Sequence, residues 1–140
     1  MSRLVTAALS RGGIGIIALA ASLAYGQTYP HKTVRLIVPN APGGGSDWVG
    51  RLVAEKLSRA LGQQVVVENR AGAGGQLAAE FVARSAADGY TLLLGTTSTL
   101  ITAPALYPKI SYNPTTDYAP ISAVASTTYL LVIHPSVGTR

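Results

Sequence analysis

The sequence predicts an α/β fold built on a parallel sheet. Three observations lead there. Short apolar runs recur at Val34–Val38, at residues 64–68 and at residues 90–94. Between them the apolar residues fall at helical spacing. A turn rich in Gly, or in Ser and Thr, follows each run directly. Alternating strands and helices of this length pack as right-handed crossovers, which makes successive strands parallel.

The first run, Val34-Arg35-Leu36-Ile37-Val38, reads as a buried strand. It ends in Pro39-Asn40-Ala41-Pro42-Gly43-Gly44-Gly45-Ser46-Asp47, a turn that opens a helix. The glycines let backbone approach a ligand, and a helix start aims free N–H groups at it. The turn holds no Lys and no Gly-Lys-Ser/Thr ending, so it does not fit a P-loop. Val49, Leu52, Val53, Leu57, Ala60 and Leu61 make one helical face. Ser46 or Asp47 is the natural N-cap and Gly62 the natural stop.

Residues 64–68 (QVVVE) read as a second strand, followed by the glycine-rich turn Asn69-Arg70-Ala71-Gly72-Ala73-Gly74-Gly75. Leu77, Ala78, Phe81, Val82 and Ala86 form a second helical face, and Asp88-Gly89 a turn. Residues 90–94 (YTLLL) give a third strand. Gly95-Thr96-Thr97-Ser98-Thr99 then supplies capping hydroxyls for a short helix ending near Leu106. Residues 107–120 hold three prolines and read as a surface loop. Residues 121–125 and 129–133 read as two more short strands.

With 140 residues, 48% of them hydrophobic and 12% charged, the chain has the composition of a folded domain with an aliphatic core. It has no cysteine, which excludes disulfides, thiolate metal sites and cysteine nucleophiles. The formal charge of +5 includes Arg3 and Arg11. The remaining basic residues are scattered, so no patch is present to bind nucleic acid through counterion release.

Arg3 and Arg11 precede a small and apolar stretch at residues 12–24, with small residues at cleavage spacing at Ser22-Leu23-Ala24 or Ala24-Tyr25-Gly26. This is the layout of a cleaved secretory signal over residues 1–26. The stretch falls short of the roughly 20 residues needed to span a bilayer. The expected mature chain begins at Gln27 and works outside the cytoplasm.

In a parallel sheet the three turns lie at the carboxyl ends of the strands, where open α/β sheets place ligands. The bland alternative is that each Gly or Ser makes only the turn its own backbone needs. The candidate ligand residues are Asn40, Ala41, Pro42, Gly43, Gly44, Gly45, Ser46 and Asp47 in the first turn. Ala73, Gly74, Gly75 and Gln76 come from the second, and Thr96, Thr97 and Ser98 from the third. Their donors are neutral amides and hydroxyls that, with helix N-termini, suit a carboxylate, directly or through water. Asp47 could meet a ligand's amino or hydroxyl group or cap its own helix. Arg70, the one cation inside a turn, could pair with an anion or lie on the surface.

Catalysis finds no support. His31 and His134 have no acid or nucleophile at motif spacing, and there is no G-x-S-x-G or H-E-x-x-H. Two histidines are too few for a metal site. Gly-Ala-Gly-Gly-Gln-Leu at Gly72 lacks the last glycine of the dinucleotide fingerprint. No cofactor is expected.

These residues resemble the extracytoplasmic solute receptors of tripartite tricarboxylate transporters, the Bug family. The matching pieces include Tyr29-Pro30, Pro42-Gly43-Gly44-Gly45-Ser46-Asp47, Leu61-Gly62-Gln63 and Ala71-Gly72-Ala73-Gly74-Gly75. Asp88-Gly89-Tyr90-Thr91-Leu92 and Leu106-Tyr107 complete the set, and the resemblance runs from about Tyr29 to Pro135. It implies a periplasmic, non-enzymatic receptor of the type II periplasmic-binding-protein fold. Such a receptor holds a small carboxylate between two lobes, delivers it to a membrane permease, and is a monomer at full length. Residues 27–140 would form an incomplete first lobe, with the second lobe missing, as in a truncated product. Two rival expectations are a fragment without function and an α/β enzyme that binds phosphate or nucleotide through the same glycine turns.

Overall fold

The computed structural model describes residues 28–137 apart from Tyr129 and Pro135. The expected leader lies outside the described residues, as does Tyr129 of the expected last strand. Residues 28–31 belong to a first compact unit, in which the Tyr29–Pro30 peptide is cis. Residues from Lys32 onward form a second unit, which carries the fold.

Three strands form its sheet: β1 (Val34–Val38), β2 (Val65–Asn69) and β3 (Thr91–Leu93). Their order is β2-β1-β3 and both pairings are parallel, with Val34 opposite Val65 and Arg35 opposite Thr91. Helix α1 (Gly45–Leu61) connects β1 to β2, and α2 (Gln76–Ala83) connects β2 to β3. After β3 comes a π-helical turn at Ser98–Thr102 that runs into the one-turn helix α3 (Ala103–Leu106).

Side chains alternate across a strand, so β1 feeds two layers. Val34, Leu36 and Val38 point to one face and pack with Val65, Tyr90, Leu94 and Ala54 of α1. Burying each such aliphatic side chain contributes about 1.5–3 kcal/mol. Gly50 lets α1 come down onto this layer, because a Cβ there would stand 2.8 Å from Val38 Cγ2. Ile37, fully buried, points to the other face, which α2 covers with the buried Ala78 and Ala79. On that face Arg35 pairs with Glu68, and Phe81 of α2 lies under the guanidinium groups of Arg35 and Arg70.

The first helix stops at Gly62, which is left-handed (φ 65°), as expected. Its start differs from expectation: Gly44 is the N-cap and no side chain caps it, neither Ser46 nor Asp47. Three glycines let the backbone turn early, which pulls both polar residues into the first helical turn. The second helix ends at Ala83 and does not reach Ala86.

The strands expected at residues 121–125 and 129–133 are not formed in the described residues. Apolar content suits a strand, but a strand exists only where a neighbour takes its backbone N–H and C=O groups. Among the described residues no strand runs beside these stretches. The described side chains of these stretches stand in solvent, with Ile121 81% and Leu131 97% exposed.

Candidate functional site

Because β1, β2 and β3 run parallel, their carboxyl ends share one edge of the sheet. The three turns expected to bind a ligand therefore stand side by side. They also touch. Gly75 is buried with φ 92°, and a Cβ placed on it would lie 2.5 Å from Thr99 Cγ2 and 3.0 Å from Pro39 Cβ. Pro39 comes from the turn after β1, Gly75 from the turn after β2, and Thr99 from the turn after β3. Both the positive φ and the lack of space require glycine at this junction.

Asn69, the last residue of β2, ties the first two turns together. Its Nδ2 donates to the Asn40 carbonyl at 3.0 Å and to Asp47 Oδ1 at 2.9 Å. Asp47 Oδ2 accepts from the Gly43 N–H at 2.9 Å and from Arg51 Nε at 3.0 Å. Arg51, the Gly43 amide and Asn69, in that order of strength, bring the Asp47 carboxyl down to about 2 against an opposing cost of burial. Its side chain is only 6% exposed. The carboxylate is thus filled by donors from its own turn, its own helix and the neighbouring strand. It reaches back past the N-cap to pin Gly43, which is neither of the two roles the sequence left open.

The third turn holds itself through Thr96 and Thr99. The Thr96 N–H donates to Thr99 Oγ1 at 2.9 Å, and the Thr99 hydroxyl donates to the Thr96 carbonyl at 3.0 Å. Thr99 is fully buried. Its carbonyl accepts from the Tyr112 hydroxyl at 2.6 Å, while Tyr118 donates to the Ala79 carbonyl at 2.8 Å. The two rings meet edge to face at 6.1 Å. Burial pushes both phenols up, so they stay protonated donors. The proline-containing segment is thereby anchored behind the third turn and onto α2. Sequence reasoning missed Asn69, Thr99, Tyr112 and Tyr118 as site supports. Thr99, three residues after Thr96, was the legible hint, since that spacing allows reciprocal hydroxyl and amide bonds.

The expected site residues divide by what they present. Asn40, Ala41, Pro42, Gly43, Gly44 and Gly45 are exposed, as are Ala73, Gly74, Thr97 and Ser98. Ser46, Gln76 and Thr96 are half-buried, and Asp47 and Gly75 are buried. The first turn of α1 adds backbone N–H groups with no partner inside the helix. Arg70 is committed elsewhere: its Nε donates to Glu68 Oε1 at 2.6 Å and its guanidinium lies 3.6 Å from the Phe81 ring centroid. Arg35 first, and Arg70 after it, hold the Glu68 carboxyl below its usual range. The edge is thus rich in amides and hydroxyls and poor in free charge.

The three turns form an open rim and not an enclosed cavity. Two grooves of about 420 and 450 Å³ lie on the flanks of α2 and α1, the first of them bordered by Arg70 of the second turn. Among the described residues, no three His, Cys, Asp or Glu side chains gather as a metal site, and no helix is long and apolar enough to cross a membrane.

The family model described as "Tripartite tricarboxylate transporter family receptor" matches residues 49–139. Protein BugT of Bordetella pertussis is 43% identical over 128 residues, covering 89% of this chain and 39% of BugT. The solved structure of MatC from Rhodopseudomonas palustris with bound malate is 44% identical, with a TM-score of 0.66 over 69% of this chain and 33% of MatC. That of the periplasmic binding protein BugD is 45% identical, with a TM-score of 0.64 over 66% of this chain and 31% of BugD. The parallel α/β sheet is therefore shared with periplasmic binding proteins, and the chain spans well under half of each of these relatives.

Proposed function

The chain belongs to the tripartite tricarboxylate transporter receptor family, and from that premise we propose that it supplies the first-lobe part of a periplasmic receptor for a small carboxylate. In this reading residues 1–26 are a cleaved signal and residues 27–140 are lobe sequence. The ligand carboxylate sits on the rim of the three turns. Backbone N–H groups of Gly44, Gly45 and Ser46, with the hydroxyls of Thr97 and Ser98, donate to it directly or through water. Asp47 and Gly75 shape the rim and do not touch the ligand. No chemical step is involved, and the bound solute passes to a membrane permease.

One observation carries the reading: Pro39, Gly75 and Thr99 pack against one another, which gathers three amide-rich turns at the strand ends. Helix N-termini and oriented amides favour anions without a cation, each such interaction contributing roughly 0.3–1 kcal/mol at a surface. Malate bound to the related MatC supports the carboxylate class.

Titration of this chain with malate, followed by amide shifts in NMR, tests it. Shifts are expected at Gly43, Gly44, Gly45, Gly74, Thr97 and Ser98, at millimolar ligand if need be. The uncharged diamide of malate should leave them still. If malate moves none of these amides, or moves only amides on the helix flanks, the reading fails.

A further inference from the structure

The rim contains a contradiction that one side chain resolves. An anion held at the start of α1 would lie within one helical turn of Asp47, which is buried and ionised. Like charges at that range repel, and the same helix N-terminus cannot satisfy two anions in full. Three donors fill the Asp47 carboxylate, but two of them, the Gly43 N–H and the Asn69 amide, carry no net charge. Only Arg51 does, and its Nε lies 3.0 Å from the same oxygen that Gly43 binds.

Resting on the carboxylate reading above, we propose that Arg51 is the counter-charge that lets this rim accept an anion. It does so without touching the ligand. Arg51 stands one turn further along α1, 58% exposed, and cancels Asp47 at the same carboxylate oxygen that the Gly43 N–H reaches. The other charged groups near the sheet cannot take its place. Arg35 and Arg70 are spent on Glu68, on the opposite face of the sheet. Arg59 pairs with Glu55 further down α1. Asp47 is thus retained to fix Gly43 and Asn69, and Arg51 removes the electrostatic penalty of keeping it. Arg51 is a positioning and charge-setting residue, where its half-exposed place on a helix would otherwise mark it as an ordinary surface arginine.

Hydroxide is a small anion, and its attack on exposed amides reports the local potential. The test is base-catalysed amide hydrogen exchange at Gly44 and Gly45, read by NMR on this chain, with no added ligand. R51Q should slow exchange at both by about fivefold at low salt, the factor an unscreened unit charge a few ångströms away produces in water. Added salt should shrink the effect. R51K should restore most of the rate, and the double variant D47N/R51Q should return it to the wild-type value. A purely structural role for Arg51 has the opposite sign, because a loosened turn exchanges faster. Unchanged or faster exchange in R51Q overturns the proposal. The malate titration of the wild-type chain tests the ligand class separately, so failure of one is not failure of the other.

Discussion

Gly75→Ala should be among the most damaging single-methyl changes in this chain. Two costs add at that position. The backbone sits at φ 92°, a conformation that disfavours any Cβ by about 1–2 kcal/mol. The methyl would also meet Thr99 Cγ2 at 2.5 Å and Pro39 Cβ at 3.0 Å. Thr99 is fully buried and Pro39 is a buried ring, so neither yields cheaply. Overpacking of this kind costs about 1–3 kcal/mol. The sum is about 2–5 kcal/mol, a large share of the roughly 5–15 kcal/mol that stabilises a domain. The neighbouring Gly74 is an internal control. Its φ is 65°, but a Cβ there meets nothing within 4 Å. Gly74→Ala should therefore cost only the backbone share, about 1–2 kcal/mol. Equilibrium urea unfolding of the two variants gives the difference directly, and that difference isolates the convergence of the three turns. If G75A and G74A unfold at the same urea concentration with the same slope, the turns do not meet at Gly75. The rim would then lose its physical basis.

Two further perturbations probe the supports of the rim. Folded Asp47 titrates near 2 instead of its ordinary 3.8, so it contributes stability that is fully present above pH 3.8 and is lost as pH falls through about 2. Acid unfolding followed by circular dichroism should show a loss between about pH 4 and 2 that D47N lacks, and an equally steep acid limb in D47N would contradict the assignment. Tyr112→Phe removes the donor that meets the Thr99 carbonyl at 2.6 Å and leaves that carbonyl unpaired in a buried site. The expected loss is about 1–3 kcal/mol in urea unfolding, with faster amide exchange at residues 96–100, and a neutral Y112F would show that the proline-containing segment does not brace the third turn.

Legibility varied with how local each cause was. Val34–Val38 could be read because a run of five residues, rich in Val and Ile and closed by Pro39, is too short for a helix and suits a buried strand. The end of α1 at Gly62 could be read for a similar reason, since a left-handed residue must close the helix. The start of α1 could not. Ser46 and Asp47 are both good capping residues, but the glycines before them start the helix at Gly44, and the Asp47 carboxylate is held instead by Asn69, 22 positions further on. Residues 121–125 and 129–133 show the reverse error. Their composition suits strands, yet pairing is a property of two segments, and the described structure supplies no second one.

The sequence by itself determined the alternation of strand, turn and helix, because period and turn chemistry act over a few neighbouring residues. It also left Arg70 as the one charged donor in the three turns, since they hold no lysine and no other arginine. What the tertiary structure alone decided is how those turns meet and what their charged groups do. The contact among Pro39, Gly75 and Thr99, the capture of Asp47 by Asn69, and the diversion of Arg70 to Phe81 all join residues on different elements. Such contacts depend on the register and order of the strands, which no local pattern encodes.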